Sequence, residues 1–460
     1  MNRSPANYKR LIVLCDGTWQ SILNVNTPSQ PSNVARFARA ISPVAIVDGK
    51  EVEQIIYYQP GVGTGLGDQI RGGVYGAGLS ANIRAAYAFL AHNYDSNGPD
   101  PNVKGDEIFF FGFSRGAYTA RSIAGLVTKL GLLTKRGMDW FPQVYDEYYE
   151  DAGKKPDFHF SAALKARIGT DMTEKAKYAI KVVGVWDTVE FHGEGWGGEQ
   201  IEFHNAELST KVAYAYHALS LDERRMAYRP TLWQWPRDPA DRSKPYHPNS
   251  RAAGPAGAGL QVMKQAWFSG VHSDVGGGRY DPGGSDITLA WMLAQCAKDK
   301  KLAFVDETDS PQDCYLLREQ DKGVPNPNTA WTRLKKPFDP EPKEGGGGLF
   351  DTLKTGVQEI LVDDRRAWPV ENTNEKIHRS IRDRDLTKWP CGMLDGGSET
   401  VPGMSGKKQW KLKRGTKWGG KPYNHLPELE DDPEADAIED KYRGRIRAVP
   451  GSKGGPSSKL

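Results

Sequence analysis

Residues 107–116 have the sequence Glu107-Ile108-Phe109-Phe110-Phe111-Gly112-Phe113-Ser114-Arg115-Gly116, in which an apolar run leads directly into a Gly-x-Ser-x-Gly pattern. The apolar run predicts a strand buried on both faces, and the apolar spacing from Gly116 through Leu130 predicts a helix after it. Glycines on either side of the serine tolerate the crowding of a sharp turn from strand to helix. Because such a turn lifts the hydroxyl clear of the sheet, Ser114 is the candidate nucleophile.

Strands and helices alternate along the chain on both sides of this turn. Apolar runs predict strands at 11–15, 54–58, 179–186 and 265–270, and helices at about 80–93 and 287–297. This alternation is typical of a doubly wound, mainly parallel sheet with helices on both faces. We therefore expect an α/β fold of the α/β-hydrolase type that carries several insertions.

The chain length favours one large domain with additions. Of the 460 residues 38% are hydrophobic, with Gly 51 and Pro 30, which indicates long irregular segments around a core. We expect a catalytic domain over 1–403, with insertions near 137–177, 236–259 and 306–348. A basic block and then an acidic block follow, and they predict a polar, mobile tail over 404–460.

Composition argues against several classes of protein. The net charge of +3 is too small to indicate a nucleic-acid partner, and four cysteines without a Cys-x-x-Cys pair favour a reducing compartment. The sequence has no apolar stretch of the ~20 residues that span a bilayer and no signal-peptide pattern, so we expect a soluble or peripheral protein. Dinucleotide, Walker and helical zinc patterns are also missing, and we expect neither cofactor nor metal.

A serine becomes a good nucleophile when a histidine takes its proton and a carboxylate orients that histidine. In this fold the acid and then the histidine follow the serine along the chain. Asp187 directly follows one predicted strand, and His272 closely follows a later one. Open α/β sheets place their sites at the ends of strands, so Ser114, Asp187 and His272 form the candidate catalytic triad.

Alternatives exist for both partners of the serine. Asp274 and Glu190 compete with Asp187 for the role of acid. Among the other histidines, His192, His204 and His217 follow Asp187 too closely to lie on a later strand, and His378 and His425 belong to the polar C-terminal region. A structural histidine in a glycine-rich loop is the alternative role of His272.

The candidate oxyanion hole combines two backbone amides. The Arg115 N–H lies at the predicted helix N-terminus, where it can donate to an oxyanion. Gly17 or Thr18, after the strand that ends at residue 15, is the candidate for the second donor. The alternative is that Asp16 simply shapes the turn there.

Four motifs occur in order along the chain: Cys15-Asp16-Gly17-Thr18, Gly112-Phe113-Ser114-Arg115-Gly116-Ala117, Val185-Trp186-Asp187-Thr188-Val189 and Gly270-Val271-His272-Ser273-Asp274-Val275-Gly276-Gly277. Together they resemble the catalytic-domain family of type VI secretion phospholipase effectors, whose fungal members are usually filed under a domain of unknown function. The likeness continues through 216–224, 286–292 and 377–380, so it covers roughly residues 8 to 395. It implies ester hydrolysis with Ser114 as nucleophile, Asp187 as acid and His272 as base. In the bacterial effectors the substrate is a phospholipid acyl ester.

We therefore expect a serine hydrolase that cleaves a lipid or other acyl ester through an acyl-enzyme, with peripheral membrane contact as a further expectation. The alternative is a non-catalytic binding protein of the same fold. The chain ends in Ser458-Lys459-Leu460, the tripeptide that the peroxisomal import receptor reads in eukaryotes. This ending predicts a peroxisomal location for a eukaryotic protein and a cytoplasmic one otherwise.

Overall fold

The computed structural model describes the following residues: 5–17, 31–61, 74–97, 104–152, 160–189, 207–223, 225, 228–235, 261–278, 283–305, 375–383, 394–400, 408–412, 417–418, 421–422, 425–429 and 431–447. The strands are β1 (Arg10–Cys15), β2 (Val44–Val47), β3 (Lys50–Gln59), β4 (Glu107–Phe113), β5 (Leu132–Leu133), β6 (Met172–Thr173), β7 (Ile180–Trp186), β8 (Tyr214–Ser220), β9 (Val262–Phe268), β10 (Glu375–Ile377), β11 (Leu394–Thr400), β12 (Lys408–Leu412), β13 (Lys417–Trp418), β14 (Lys421–Pro422) and β15 (His425–Pro427). The α-helices are α1 (Asn33–Ala40), α2 (Val74–Asn93), α3 (Ser114–Leu130), α4 (Phe141–Ala152), α5 (Ala162–Ile168), α6 (His272–Gly276), α7 (Gly283–Ala297) and α8 (Pro433–Arg447).

One large sheet organises the chain, with the strand order β10-β9-β8-β7-β4-β1-β3-β2. All neighbouring strands in it are parallel except β2, which pairs antiparallel with β3. The chain builds outward from β1 to β3 and then returns to β4 on the other side of β1. This reversal places a switch point between β1 and β4, where open α/β sheets form their binding crevice.

Both faces of the sheet are covered by helices, which confirms the predicted α/β class and its mainly parallel sheet. In β1, Leu11, Val13 and Cys15 join a core that includes α2 and α3. Ile12 and Leu14 point to the opposite face and join a second core, which includes α1 and α7. Side chains of successive strand residues alternate between faces, so a continuous apolar run is what a sheet with two buried faces requires.

Strand β8 was not predicted, and His217 lies on it rather than in a connection after Asp187. The strand is almost completely buried, yet it contains His217 and Ser220, whose polar side chains interrupt the apolar signal. Both side chains form hydrogen bonds to neighbouring elements. Buried polar groups are accommodated when they are hydrogen-bonded, so a core strand can carry them.

Part of the segment predicted as a mobile tail, residues 404–460, forms a helix. Residues 433–447 form α8, whose Ala435 and Tyr442 side chains are buried against the molecule. Asp432, just before the helix, binds Lys298 through both carboxylate oxygens at 2.8 Å. The mobile-tail prediction does not hold for this helix. Its acidic sequence also contains apolar residues at helical spacing, and these form the face that packs against the molecule.

The predicted insertions differ in how far the structure describes them. Near 137–177 the chain forms α4, β6, α5 and short 3₁₀ helices, and Val144 and Leu164 from this segment are core residues. The insertions near 236–259 and 306–348 lie outside the described residues.

Candidate active site

The turn between β4 and α3 holds Ser114 in a left-handed backbone conformation, with φ at 57°. A Cβ atom at Gly112 would lie 2.5 Å from the carbonyl oxygen of Gly116, and one at Gly116 would collide with the carbonyl oxygens of Cys15 and Asp16. Only glycine therefore fits on each side of the serine. This crowding is the physical reason for the Gly-x-Ser-x-Gly pattern.

The three residues predicted as a triad lie together at the carboxyl end of the sheet. His272 Nε2 is 2.8 Å from Ser114 Oγ, and His272 Nδ1 is 2.6 Å from Asp187 Oδ2. The exposed fractions are 6% for Ser114, 4% for His272 and 0% for Asp187, so this hydrogen-bonded chain is buried. A carboxylate accepts the Nδ1 proton, which leaves Nε2 as the acceptor for the serine hydroxyl.

Aromatic rings hold the imidazole of His272 in place. The ring of Phe113, the residue before the serine, has its centroid 4.7 Å from that of His272. The ring of Tyr228 lies at 4.8 Å. Aromatic contacts of this kind restrict ring orientation, so the histidine is packed in a defined position between the serine and the carboxylate.

Ser220 at the end of β8 holds the carboxylate of Asp187, a role that the sequence analysis missed. The Ser220 backbone N–H donates to Asp187 Oδ1 at 3.0 Å, and its hydroxyl donates to Oδ2 at 2.9 Å. Asp187 itself has a positive φ of 44° and follows the last residue of β7. Hydrogen bonds to an ionised carboxylate are among the stronger ones, so Ser220 stabilises both the charge and the position of Asp187.

His217 supports the same region from its place on β8. The backbone N–H of Thr188 donates to His217 Nε2 at 3.1 Å, and His217 Nδ1 lies 3.0 Å from Gln265 Oε1. Gln265 in turn binds both backbone polar groups of Trp233 at 2.9 Å. His217 is therefore a fully buried neutral histidine that fixes the chain just after Asp187.

The alternatives for acid and base lie in other environments. Asp274 Oδ2 accepts the Val271 N–H at 2.9 Å and so caps the start of α6. His378 follows β10, where its Nδ1 lies 2.9 Å from Ser380 Oγ. Glu190, His192 and His204 lie outside the described residues. Asp187 is the carboxylate that contacts the His272 ring, with its Oδ2 2.6 Å from Nδ1.

The structure describes two of the three candidate oxyanion donors, Gly17 and Arg115. Gly17 lies beside Ser114, since a Cβ atom on it would be 3.4 Å from the serine Cβ. Its N–H, however, donates to Asp16 Oδ1 at 2.7 Å, so this amide is engaged. Arg115 lies in the first turn of α3, as predicted, and Thr18 lies outside the described residues. Gly17 as a donor to substrate stays a prediction, which requires its amide to leave Asp16.

Asp16 is a buried carboxylate held by two further side chains. Its Oδ2 accepts from the Ser32 hydroxyl at 2.7 Å and from the Tyr58 hydroxyl at 2.5 Å. Burial raises the pKa of the Asp16 carboxyl, although the hydrogen bonds from Tyr58, Ser32 and Gly17 oppose this rise. These hydrogen bonds tie the start of the loop after β1 to Tyr58 on β3 and to Ser32 at the N-terminus of α1.

The described part of the chain offers neither a metal-binding cluster nor a membrane-spanning helix. It contains no group of three or more His, Cys, Asp or Glu side chains that could hold a metal ion. Across the same residues, the helices are too short or too polar to cross a bilayer.

A mainly parallel α/β domain with a buried serine hydrogen-bonded to a histidine at a strand-to-helix turn has the form of a hydrolase. The chain belongs to the family described as type VI secretion system, phospholipase effector Tle1-like, catalytic domain, whose model matches residues 9–295. The resemblance noted for 377–380 lies beyond the matched residues.

Individual relatives are more distant. The chain is 26% identical over 241 residues to the uncharacterized protein YEL023C of Saccharomyces cerevisiae, a match that covers 48% of this chain and 32% of the yeast protein. A crystal structure of an uncharacterized protein from Pseudomonas aeruginosa has 17% identity and a TM-score of 0.37, over 63% of this chain and 45% of that one. A Tle1 effector bound to the VgrG spike of the type 6 secretion system has 15% identity and a TM-score of 0.34, over 60% and 52%. The chain thus spans between a third and about half of the length of these relatives.

Proposed function

We propose that this protein is a serine hydrolase that cleaves an acyl ester of a lipid or phospholipid through an acyl-enzyme. The observation that carries the proposal is the buried hydrogen-bonded chain from Ser114 through His272 to Asp187. These residue types, in this order and within hydrogen-bond reach, match what an activated serine needs. The phospholipase effector family supports a lipid ester as the substrate class.

In the acylation step, Ser114 Oγ attacks the ester carbonyl carbon while its proton moves to His272 Nε2. Asp187 stabilises the imidazolium that forms, because its carboxylate accepts a hydrogen bond from the Nδ1–H group, with Nδ1 2.6 Å from Oδ2. The negatively charged tetrahedral oxygen accepts hydrogen bonds from the Arg115 N–H and from a second backbone amide. Gly17 and Thr18 are the candidates for this second donor. Collapse of this intermediate expels the alcohol, which takes the proton from Nε2 and leaves the acyl group on Ser114.

Deacylation runs through the same groups. His272 Nε2 removes a proton from a water molecule as the oxygen of that water attacks the acyl-enzyme carbonyl. The second tetrahedral intermediate collapses with return of the proton to Ser114 Oγ, and the fatty acid leaves. Ser220 keeps Asp187 in place through both steps, since its two hydrogen bonds do not involve the reacting atoms.

The test is hydrolysis of a panel of phospholipids, neutral lipids and acyl thioesters by the wild-type protein and by the S114A and H272A variants. We expect fatty acid release by the wild type, with losses of several orders of magnitude in both variants. Equal release by S114A would contradict the proposal. A wild type that binds lipids but hydrolyses none of the panel would favour the non-catalytic binding protein instead.

We also propose peripheral membrane contact, since a lipid ester substrate resides in a bilayer, and a peroxisomal location if the source is eukaryotic. The second proposal depends on Ser458, Lys459 and Leu460, which lie outside the described residues. A receptor that grips this tripeptide requires a free terminal carboxylate.

A further inference from the structure

A charged side chain, Arg225, lies one aromatic ring away from His272 and takes no part in the proposed proton transfers. Arg225 follows β8, and 40% of its side chain is exposed, whereas Ser114, His272 and Asp187 are buried. Its guanidinium binds Glu223 at two points, with Nε 2.9 Å from Oε1 and Nη2 2.7 Å from Oε2. This two-point contact fixes the plane of the guanidinium group.

Two routes connect Arg225 to the histidine. The centre of the guanidinium lies 3.9 Å from the centroid of the Tyr228 ring, and this ring contacts His272. Glu223 Oε2 also accepts the backbone N–H of His272 at 3.3 Å. A cation is thus held one aromatic ring away from the group that activates the serine.

The guanidinium remains positively charged beside the site. Burial lowers the pKa of Arg225, but the hydrogen bond and charge of Glu223, with smaller effects of Tyr228 and Asp187, outweigh burial and hold the pKa above its ordinary value. Within the described part of the chain, Nη1 donates no hydrogen bond, while Nε and Nη2 are both engaged by Glu223. One donor edge of an oriented cation is therefore available to a ligand.

We propose that Arg225 binds the phosphate of the ester substrate, and that it thereby sets a preference for phospholipids over neutral acyl esters. The inference rests on the proposed function and deepens it by naming a headgroup contact. Guanidinium groups bind phosphate through planar, charge-assisted hydrogen bonds, and Glu223 orients the group before substrate arrives. In a glycerophospholipid a short glycerol unit separates the ester carbonyl from the phosphate. Arg225 is separated from His272 by one aromatic ring, which is a comparable length.

The first test compares two substrates that carry the same esters, dihexanoyl phosphatidate and dihexanoylglycerol, which differ only in the phosphate. We expect R225M to lower kcat/KM for the phosphatidate by about 10- to 100-fold, mainly through KM, and to leave the neutral ester within about threefold. The E223Q/R225M variant should show the same selective loss, although it carries no unpaired carboxylate at this position. Arg136 is 85% exposed and paired with Asp171, so R136M is a matched control that should change neither rate.

An equal loss on both substrates would overturn the proposal, because Arg225 would then act only by positioning His272 through Glu223. No loss on either substrate in R225M would overturn it as well. These outcomes differ from failure of the proposed function, in which the wild type would hydrolyse neither ester.

A binding measurement separates the two proposals further. In isothermal titration calorimetry, S114A should bind dihexanoyl phosphatidate at least about tenfold more tightly than S114A/R225M. Equal affinities would overturn the role of Arg225 even if the wild type is active. Inorganic phosphate is titrated alone in a separate arm, and affinity equal to that of the phosphatidate would overturn a lipid headgroup as the ligand. If S114A binds phosphatidate through Arg225 while the wild type hydrolyses neither ester, the phosphate contact of Arg225 stands, whereas the proposed hydrolase and the substrate preference do not.

Discussion

Replacing Asp187 by asparagine tests the roles of the acid and of its hydrogen-bond partners together. The Ser220 backbone N–H donates to Asp187 Oδ1 at 3.0 Å, so an amide at this position would place its oxygen there and avoid two donors facing each other. Its NH₂ group would then take the place of Oδ2, which now lies 2.6 Å from His272 Nδ1. The amide would donate to Nδ1, and the proton of the neutral ring would move to Nε2. A histidine in this tautomer cannot accept the proton of Ser114.

The expected loss in kcat is about 10³- to 10⁴-fold, which corresponds to about 4–5.5 kcal/mol of transition-state stabilisation. Asp274 provides a matched control, because it is a buried aspartate two residues from His272 and its amide analogue can still accept the Val271 N–H. We expect D274N to keep activity within about tenfold. The assay is steady-state hydrolysis of a short-chain p-nitrophenyl ester, with circular dichroism as the check on folding. A folded D187N variant with activity near that of the wild type, or a D274N variant that loses more, would refute the assignment of the acid.

The other predictions concern the nucleophile, the turn, the C-terminal helix and the cellular address. S114A and H272A should each lose several orders of magnitude in ester hydrolysis while their thermal unfolding stays close to wild type, which calorimetry can check. G116A should lose more than about 4 kcal/mol in urea unfolding, because its Cβ would collide with two carbonyl oxygens of the loop after β1, and unchanged stability would contradict this close contact. Y442A should lose about 2–4 kcal/mol if α8 packs as described, whereas the exposed K441A should change stability by less than about 0.5 kcal/mol, and equal effects would argue against the packing. A fluorescent protein fused to the N terminus should give a punctate signal at peroxisomes that is lost when the last three residues are removed, and diffuse signal from both fusions would exclude import by this tripeptide.

The main parts of the fold and site could be predicted because their signals are local in the sequence. Strand β4 is a continuous apolar run. Gly112 is required by the close approach of the first turn of α3, and Gly116 by the close approach of the Cys15 and Asp16 carbonyls. Asp187 and His272 could be selected because parallel strands bring their carboxyl ends to one edge of the sheet. The structure places these three residues in one hydrogen-bonded chain.

The remaining features depend on partners that are distant in sequence. Ser220 is 33 residues from Asp187, and nothing in the local pattern of β8 indicates that its hydroxyl meets a carboxylate. The short separation of His217 from Asp187 along the chain suggested a connection, but β8 has only 7 residues and forms within that separation. Arg225 has no motif of its own, since its orientation results from Glu223 and Tyr228. Such tertiary contacts are not encoded in periodicity.

The engagement of the Gly17 amide by Asp16 is another feature that sequence could not provide. An Asp-Gly pair is compatible with a turn or with an anion-binding amide, and the choice depends on where the carboxylate points. In the structure the carboxylate is held by Ser32 and Tyr58, which are 16 and 42 residues away. In this structure Asp16 therefore shapes the turn, which is the alternative stated above to a role of the Gly17 amide as an oxyanion donor.

The most direct test of the central claim is covalent trapping of the nucleophile with a fluorophosphonate probe, followed by peptide mapping by mass spectrometry. Activated serines react with this probe and unactivated ones do not, so the site of the adduct identifies the nucleophile without knowledge of the substrate. We predict one adduct on Ser114, absent from S114A and formed far more slowly by H272A. A wild-type protein that is folded but unlabelled at Ser114, or that carries the adduct on another residue, would contradict the claim that Ser114 is an activated nucleophile.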